Sequence, residues 1–367
     1  MAAPLLLHVY STFSVGGAQV RFAAVANRFP GRWRHAIIAM DGDTACRERL
    51  APGVEVEFPE VTIRKGDTLG NLRRFRRVLQ RLRPQALVTS NWGSIEWAMA
   101  NAGWPGRPGV VRHVHVEDGF GPEERISQLR RRVLTRRLVL RRSLVVVPSR
   151  VLWGIATDIW KLDPRRLRYI ANGIDLERFA EVEFAGPPVA APPVVGTVAA
   201  LRAEKNIGRL LRAFRLAEAP GRLVVVGDGP ERTGLEALAG DLGIAGQVDF
   251  TGYDGQPQGR YRGFDLFALS SDTEQMPLSV LEAMATALPV AATDVGDIRA
   301  MLAAENAPYL AARDDAALGA ALAALMRLEP SQRRAIGAAN RAKVLRDYDQ
   351  ETMFYAYADL FDGAYAA

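Results

Sequence analysis

The sequence of 367 residues has few of the residue types from which disulfides and metal sites are built. It holds one cysteine, Cys46, which excludes an internal disulfide and a cysteine-rich metal site and suits a reducing compartment. The four histidines are scattered and lack spaced carboxylate partners, so we expect no metal ion. No stretch approaches about 18 uncharged apolar residues, and the start of the chain lacks the basic segment of a signal peptide. A cytoplasmic protein without a membrane span is expected.

A Gly-x-Gly-x-x-Gly fingerprint is missing as well, which weakens the case for a dinucleotide-dependent protein. What the sequence does have is an alternation of strands and helices that begins at Leu5–Tyr10 and restarts at Val194–Ala199. A stretch rich in proline and alanine, 184–193, precedes the restart and is typical of a linker. The pattern predicts an α/β fold with two doubly wound Rossmann-like domains facing a cleft. The expected bounds are 1–178 for the first domain, 179–193 for the linker, 194–348 for the second domain and 349–367 for a final helix.

The two halves of the chain differ in charge. Residues 1–175 hold 29 Lys and Arg against 15 Asp and Glu, a net charge of +14, whereas the remaining residues carry −8. Such a split indicates that the first half meets an anionic partner. Much of the excess lies in two basic patches, Arg73–Arg83 at the predicted helix Leu69–Leu82 and Arg130–Arg142 in the predicted helix Glu124–Arg142. The second patch interleaves arginine with leucine and valine. This pattern is typical of a helix on an anionic membrane, and equally of a solvated face over a core stripe. Neither helix interleaves aromatic residues for stacking on bases, so nucleic acid is not expected.

One segment of the second half combines a helix start with two carboxylates. Pro277 suits the first position of a helix, and the apolar residues after it recur at helical spacing, which predicts a helix to about Ala287. The free N–H groups at its start, near Leu278 and Ser279, form a ready anion site.

The two carboxylates flank that anion site. Glu274 precedes the helix and Glu282 lies roughly 7.5 Å along its axis. Carboxylates accept paired hydrogen bonds from vicinal hydroxyls, such as those of a sugar and a ribose. A diphosphate at the helix start would therefore have one carboxylate beside each of its ends, which outlines a nucleotide-sugar site. The alternative is that both are solvated helix charges.

With its neighbours, this segment resembles the retaining GT-B glycosyltransferases marked by E-x7-E, known as glycosyltransferase family 4 or glycosyl transferases group 1. The resemblance spans nearly the whole chain and is sharpest from Val194 to Met301; the family's usual glycine after the first glutamate is Gln275 here. It implies a GT-B fold whose last helix crosses back onto the first domain. The residues that carry it are Phe250–Tyr253, Phe264–Phe267, Ser270–Glu274 and Leu288–Gly296.

The resemblance also implies roles for individual residues toward the donor. Glu274 would hold the sugar hydroxyls, Glu282 the ribose and Lys205 the diphosphate. The arginine that accompanies this lysine in the family falls at Ala200, and Arg202 is the candidate to replace it. The remaining residues implied in donor binding are Gly16 and Gly17 after the first strand, Gly227 and Gly229 beside the nucleotide, Tyr253 near the base, and Met276, Pro277, Leu278 and Ser279 around the helix start.

A histidine or an acid of the family lies against the transferred sugar, after the strand predicted at Val110–His115. His115 is the first choice here. Asp118 is the second, because some relatives read His-x-Glu-His-Gly where this chain has Asp118 in place of the second histidine. His113 is expected to point to the other side of the strand. The alternative is that His115 is a structural histidine.

The resemblance therefore implies a metal-independent hexosyltransferase without a cofactor, whose donor is a nucleotide-diphosphate sugar and whose acceptor is a sugar or a lipid-linked sugar. Cell-surface polysaccharide, lipopolysaccharide or glycolipid synthesis is the expected setting, with a peripheral place on the inner face of the cell membrane as a candidate. Two alternatives remain open: a non-catalytic nucleotide-sugar-binding protein of the same fold, and a dinucleotide-dependent oxidoreductase. Release of a nucleoside diphosphate distinguishes an enzyme from the first, and a nicotinamide absorbance assay tests the second.

Overall fold

The computed structural model describes residues 3–102, 110–120, 124, 128–180 and 192–365. The chain divides into two compact units, Met1–Ala171 with Phe354–Ala367, and Asn172–Met353. Each unit is built on one parallel β-sheet, of seven and six strands respectively. Most of the predicted linker, from 181 to 191, lies outside the described residues.

The sheet of the first unit has the strand order β3-β2-β1-β4-β5-β6-β7. The strands are β1 (Leu5–Tyr10), β2 (Arg34–Ala39), β3 (Val56–Glu57), β4 (Ala86–Ser90), β5 (Arg112–Val116), β6 (Leu144–Val147) and β7 (Leu167–Tyr169). The helices between them are α1 (Gly17–Arg28), α2 (Thr68–Leu82), α3 (Ile95–Ala102), α4 (Arg130–Val139) and α5 (Arg150–Gly154). Strands β1, β4 and β6 are buried along almost their whole length, because helices cover both faces of a parallel sheet.

Helix α2 shows how local sequence sets an element of this unit. Asp67 caps its start, since the carboxylate accepts a hydrogen bond from the backbone N–H of Gly70. Phe75 and Leu79, one turn apart, are fully buried, and Phe75 stacks on Trp97 of α3 at 4.3 Å between ring centroids. The arginines of α2 lie on its other faces, so the helix is amphipathic.

The sheet of the second unit has the order β10-β9-β8-β11-β12-β13. Its strands are β8 (Val194–Val198), β9 (Arg222–Val226), β10 (Val248–Gly252), β11 (Leu266–Leu269), β12 (Val290–Thr293) and β13 (Leu310–Ala311). Its helices are α6 (Leu176–Ala180), α7 (Ile207–Leu216), α8 (Arg232–Asp241), α9 (Gln258–Tyr261), α10 (Leu278–Ala285), α11 (Ile298–Met301), α12 (Asp315–Arg327) and α13 (Pro330–Asp347).

The strand order places the loops that matter at one edge of this sheet. Strand β8 is central, and the chain moves outward on one side through β9 and on the other through β11. The carboxyl ends of β8, β9 and β11 therefore meet where the direction of winding reverses, which is where ligands bind in open α/β sheets.

The last helix, α14 (Gln350–Asp362), contributes its residues from Phe354 onward to the first unit. The guanidinium of Arg112 on β5 donates to the carbonyl oxygens of Leu360 and Phe361, at 2.8 and 2.6 Å. The indole N–H of Trp33 donates to the carboxylate of Asp362 at 2.8 Å. The first unit is thus completed by the far end of the chain. None of the helices in the described parts of the chain is both long and apolar enough to cross a bilayer.

Candidate functional site

The start of α10 presents backbone N–H groups at the carboxyl edge of the second sheet. Pro277 stands just outside the helix with an extended backbone, φ −70° and ψ 124°, rather than as its first residue. Its carbonyl oxygen accepts from the N–H groups of Val280 and Leu281, at 3.2 and 3.4 Å. Across the described part of the chain, the N–H groups of Leu278 and Ser279 find no acceptor, so they are available to an anion. The helix ends earlier than predicted, because Ala287 has a left-handed backbone.

Glu274 is held through one of its two carboxylate oxygens. Oε1 accepts from Nζ of Lys205 at 2.6 Å and from Oγ of Ser271 at 2.7 Å. Oε2 has no hydrogen-bond partner within the described residues and is free to bind a ligand. The side chain of Lys205 is 26% exposed and that of Glu274 is 9% exposed. The pair therefore joins the loop after β8 to the loop after β11.

The backbone at Glu274 has a support that sequence reasoning missed. Gly296 has φ +55°, and a Cβ there would lie 2.3 Å from the carbonyl oxygen of Glu274. A side chain at Gly296 would therefore displace the loop that carries the glutamate. The sequence signal was the glycine that follows β12, inside the segment that carries the family resemblance.

Glu282 is held in the same way by a residue that was not predicted. Its Oε2 accepts from the hydroxyl of Tyr261 at 2.6 Å, and within the described residues Oε1 has no hydrogen-bond partner. Burial raises the pKa of the Glu282 carboxyl, while the hydrogen bond from Tyr261 and the charge of Arg178 oppose the rise. Each of the two glutamates thus keeps one oxygen available.

The loops after β8 and β9 pack against each other through glycine. Gly227 has φ +141°, and a Cβ there would lie 1.8 Å from the carbonyl oxygen of Ala199. A Cβ on Gly229 would lie 2.5 Å from that of Leu201. These two predicted donor residues therefore have a structural reason to be glycine, whatever ligand lies beside them.

The other predicted donor residues of this unit differ in exposure. Arg202 and Tyr253 are exposed, Tyr253 by 73%, and neither side chain makes a hydrogen bond or ion pair with the described residues. The side chain of Met276 is buried, and the backbone carbonyl oxygen of Met276 accepts from the side-chain amide of Asn172 at 3.0 Å. Met276 can therefore meet a ligand only through its backbone.

In the first unit, the two histidines of β5 lie on the same face of the strand. Thr89 Oγ1 lies 2.8 Å from Nε2 of His113 and 2.8 Å from Nδ1 of His115. The expectation that His113 points to the other side was wrong, because residues two apart in a strand share a face. Both rings are buried and satisfied, and burial, with the neighbouring His115, lowers the pKa of His113 to about 3.

Asp118 is the more accessible of the two candidates near the transferred sugar. Its carboxylate pairs with the guanidinium of Arg21 on α1 at 2.6 Å, and its backbone N–H donates to Asn91 Oδ1 at 2.7 Å. Its side chain is 18% exposed, whereas that of His115 is fully buried. Gly16 and Gly17, at the start of α1, follow β1 at the same edge of the sheet, and a Cβ on Gly17 would meet no atom within 4 Å.

Helix α4 hides two of the arginines that the sequence placed on a basic face. Arg136 is fully buried and donates to Glu117 Oε2 at 3.2 Å and to both carboxylate oxygens of Glu124 at 3.1 Å. Arg132 is also buried and donates to Glu124 at 3.2 Å. Three aromatic rings lie within 5.4 Å of the Arg136 guanidinium carbon, namely those of Trp92, Phe120 and Trp160.

The two sheets, each with its loops at the carboxyl edge, are those of a GT-B glycosyltransferase, and two family models match nearly the whole chain. The model for Glycosyltransferase Family 4 matches residues 15–178, and the model for Glycosyl transferases group 1 matches residues 180–342. The chain belongs to this family of glycosyltransferases.

Two curated relatives illustrate the similarity. WcaL of Salmonella typhimurium, a putative colanic acid biosynthesis glycosyltransferase, is 25% identical over 236 residues, 60% of this chain and 57% of the relative. LpsE of Rhizobium meliloti, a lipopolysaccharide core biosynthesis glycosyltransferase, is 34% identical over 146 residues, 38% of this chain and 42% of the relative. The chain thus spans about half the length of the curated relatives it matches.

A solved structure shares the fold over almost the full length. Anabaena HepE in complex with UDP-glucose has a TM-score of 0.79 and 18% identity, and the match covers 98% of this chain and 100% of that one. At this identity the similarity shows the fold alone.

Proposed function

We propose that the protein is a retaining glycosyltransferase that moves a hexose from a nucleotide-diphosphate sugar to a sugar or lipid-linked sugar acceptor. Cell-surface polysaccharide, lipopolysaccharide or glycolipid synthesis is the proposed setting, and the similarity to WcaL, of colanic acid biosynthesis, and LpsE, of lipopolysaccharide core biosynthesis, supports it. The observation that carries the proposal is the Lys205–Glu274 pair, joined at 2.6 Å, in which Glu274 directly precedes the segment with the unbonded N–H groups at the start of α10.

In this proposal the diphosphate lies at the start of α10, against the N–H groups of Leu278 and Ser279. The free oxygen of Glu274 accepts from sugar hydroxyls, and that of Glu282 accepts from the ribose. The exposed ring of Tyr253 offers a surface for the base. Lys205 and Arg202 stabilise the charge that develops as the diphosphate leaves. We propose that this departure of the diphosphate needs no metal ion.

For the group that faces the transferred sugar in the first unit, we propose Asp118 rather than His115. Asp118 keeps part of its carboxylate exposed, whereas both ring nitrogens of His115 lie within hydrogen-bond distance of buried groups. Arg21 fixes the orientation of the carboxylate. Asp118→Asn should lower turnover and leave donor affinity unchanged, since the substitution keeps the shape and removes the charge.

A donor panel tests the proposed reaction. UDP-, GDP-, ADP- and dTDP-sugars are incubated with the protein in the presence of EDTA, and release of the nucleoside diphosphate is followed. We expect slow hydrolysis of one donor, with NMR showing that the freed sugar first appears with the anomeric configuration of the donor. Inversion would contradict the retaining mechanism, and loss of activity with EDTA would contradict metal independence. Binding without release would leave a non-catalytic nucleotide-sugar-binding protein.

A peripheral place on an anionic membrane, on the inner face of the cell membrane, is the second part of the proposal. Leu134 and Leu138 on α4 are both 56% exposed, beside the exposed Arg131, Arg137 and Arg141. A basic helix with exposed leucines is suited to an anionic bilayer surface, where each arginine contributes about 1 kcal/mol.

Co-sedimentation with anionic and neutral vesicles tests this surface. We expect binding to anionic vesicles that falls steeply with salt and is lost when Arg131, Arg137 and Arg141 are changed to Gln. A control with the same change of charge replaces three exposed arginines of the second unit, Arg215, Arg299 and Arg346, and should bind like wild type. Equal loss in both triple variants would show a general charge effect and contradict a surface on α4.

A further inference from the structure

Tyr261 is a buried hydroxyl next to the proposed nucleotide site that no predicted role explains. It is the last residue of α9 and is fully buried. Its ring packs among three phenylalanines, with centroids 5.7 Å from Phe264, 5.8 Å from Phe267 and 6.4 Å from Phe179. This packing fixes the ring, so the position of the hydroxyl is set by the core of the second unit.

The hydroxyl contacts α10 at two levels. It lies 2.6 Å from Oε2 of Glu282 and 3.3 Å from the carbonyl oxygen of Ser279, one turn earlier. A phenol has one proton to donate, and the shorter contact with the charged acceptor takes it. Burial, with the nearby Glu282 carboxylate, raises the pKa of Tyr261 well above its usual range, so the phenol stays a donor.

We propose that Tyr261 is a positioning residue of the nucleotide site, whose hydroxyl fixes Glu282 by one carboxylate oxygen and leaves the other for the ribose of a nucleoside diphosphate. The inference rests on the proposed function, since it assigns a task to the same site. Tyr261 itself, buried in the core, touches no ligand.

The hydroxyl also favours the ionised form of the carboxylate. Within the described residues, the groups that act on the charge of Glu282 are Tyr261 on α9 and Arg178 on α6, and both oppose the rise in the pKa of Glu282 that burial causes. Removing the hydroxyl removes one of these, so the pKa of Glu282 rises further. A protonated Glu282 offers fewer acceptor sites to a diol. As the pH is lowered, the variant without the hydroxyl should therefore begin to lose nucleotide affinity at a higher pH than wild type does.

Calorimetric titration with UDP and GDP between pH 5.5 and 8 tests the inference in wild type, Tyr261→Phe and Tyr309→Phe. Tyr309 is the matched control, because it lies in the same unit and its hydroxyl makes no hydrogen bond with the described residues. Ionisation of the nucleotide is common to all three proteins and cancels in the comparison. We expect Tyr261→Phe to bind about five- to tenfold more weakly at pH 8 and, as the pH is lowered, to lose affinity at a higher pH than wild type does.

The outcomes separate the inference from the proposed function. If wild type binds a nucleotide and Tyr261→Phe has the same affinity and pH profile, the positioning role is wrong and the proposed function stands. A lower melting temperature with an unchanged pH profile would show a merely structural hydroxyl and overturn the inference too. If wild type binds neither UDP nor GDP, both the positioning role of Tyr261 and the proposed function are contradicted. In a Glu282→Gln background, Tyr261→Phe should weaken binding less than it does in wild type.

Discussion

At the scale of single residues, Lys205 combines a proposed task with an observed contact that the sequence did not show together. It was predicted to meet the donor diphosphate, and the structure pairs it with Glu274, the predicted sugar ligand. We expect Lys205→Ala to lower kcat more than it raises KM, because the charge it stabilises develops as the diphosphate leaves. Arg202→Ala should act in the same direction and more weakly, since Arg202 lies on the exposed side of the loop.

Steady-state kinetics with the identified donor measure both effects, and Arg215→Ala, an exposed arginine of the same unit, is the control. Equal losses in affinity and rate for Lys205→Ala would show that the lysine serves ground-state binding only. An unchanged rate for Arg202→Ala would show that Arg202 is a solvated loop residue with no role in the reaction.

The residues that hold the site together were beyond sequence reasoning. Glu274 and Glu282 stand out because their spacing around a helix start has a chemical meaning. Their supports come from other parts of the chain: Tyr261 is 21 residues before its partner, and Ser271 is three before its own. A tyrosine and a serine are ordinary in sequence, and only the packing of β11 and α9 against α10 gives them these contacts.

At the scale of elements, α4 shows where sequence prediction stops. Strand β1 has the bounds that its apolar run predicted, because a buried parallel strand carries its signal in its own residues. The arginines of α4 carry no such signal. Arg136 is buried because Glu117 and Glu124 come to it from the segment after β5, and that meeting is a property of the folded unit.

We expect Arg136→Ala to destabilise the first unit strongly, by about 3–5 kcal/mol, because it leaves the buried carboxylate of Glu117 without its guanidinium partner and that of Glu124 with Arg132 alone. Arg137→Ala, one residue further and exposed, is the matched control and should change stability by less than about 0.5 kcal/mol. Thermal and urea unfolding measure both. Similar midpoints for the two variants would contradict the ion-pair network.

At the scale of the whole molecule, the fold class was accessible from sequence because the alternation of strands and helices repeats along the chain. Two parallel sheets and the return of the last helix to the first unit are observed. The charge asymmetry was equally visible in the sequence. Which arginines form an exposed basic surface could not be predicted, because a count of arginines does not distinguish the buried Arg136 from the exposed Arg137.

Acid should destabilise the first unit through its buried histidines. Burial lowers the pKa of His35 to about 4 and, together with His115, that of His113 to about 3, while the unfolded chain titrates near 6.5. Between the folded and unfolded pKa values, the unfolded state binds more protons than the folded state. The contribution of the neutral histidines to stability is therefore complete above pH 6.5. It falls as the pH drops toward 4, by up to about 1.4 kcal/mol per pH unit for each histidine. Melting temperatures from pH 7 to 4.5 measure this, and His35→Asn should flatten the slope. An unchanged slope would contradict a neutral His35.

The central claim, that the second unit binds a nucleotide sugar through the start of α10 and its two glutamates, is tested most directly by calorimetry on Glu282→Gln. The wild-type protein and the variant are titrated with the nucleoside diphosphate and with the intact donor. We expect both ligands to bind the variant more weakly by the same amount, about 1.5–3 kcal/mol, because the ribose that we propose Glu282 holds is present in both. Unchanged affinity for the nucleoside diphosphate would contradict the claim.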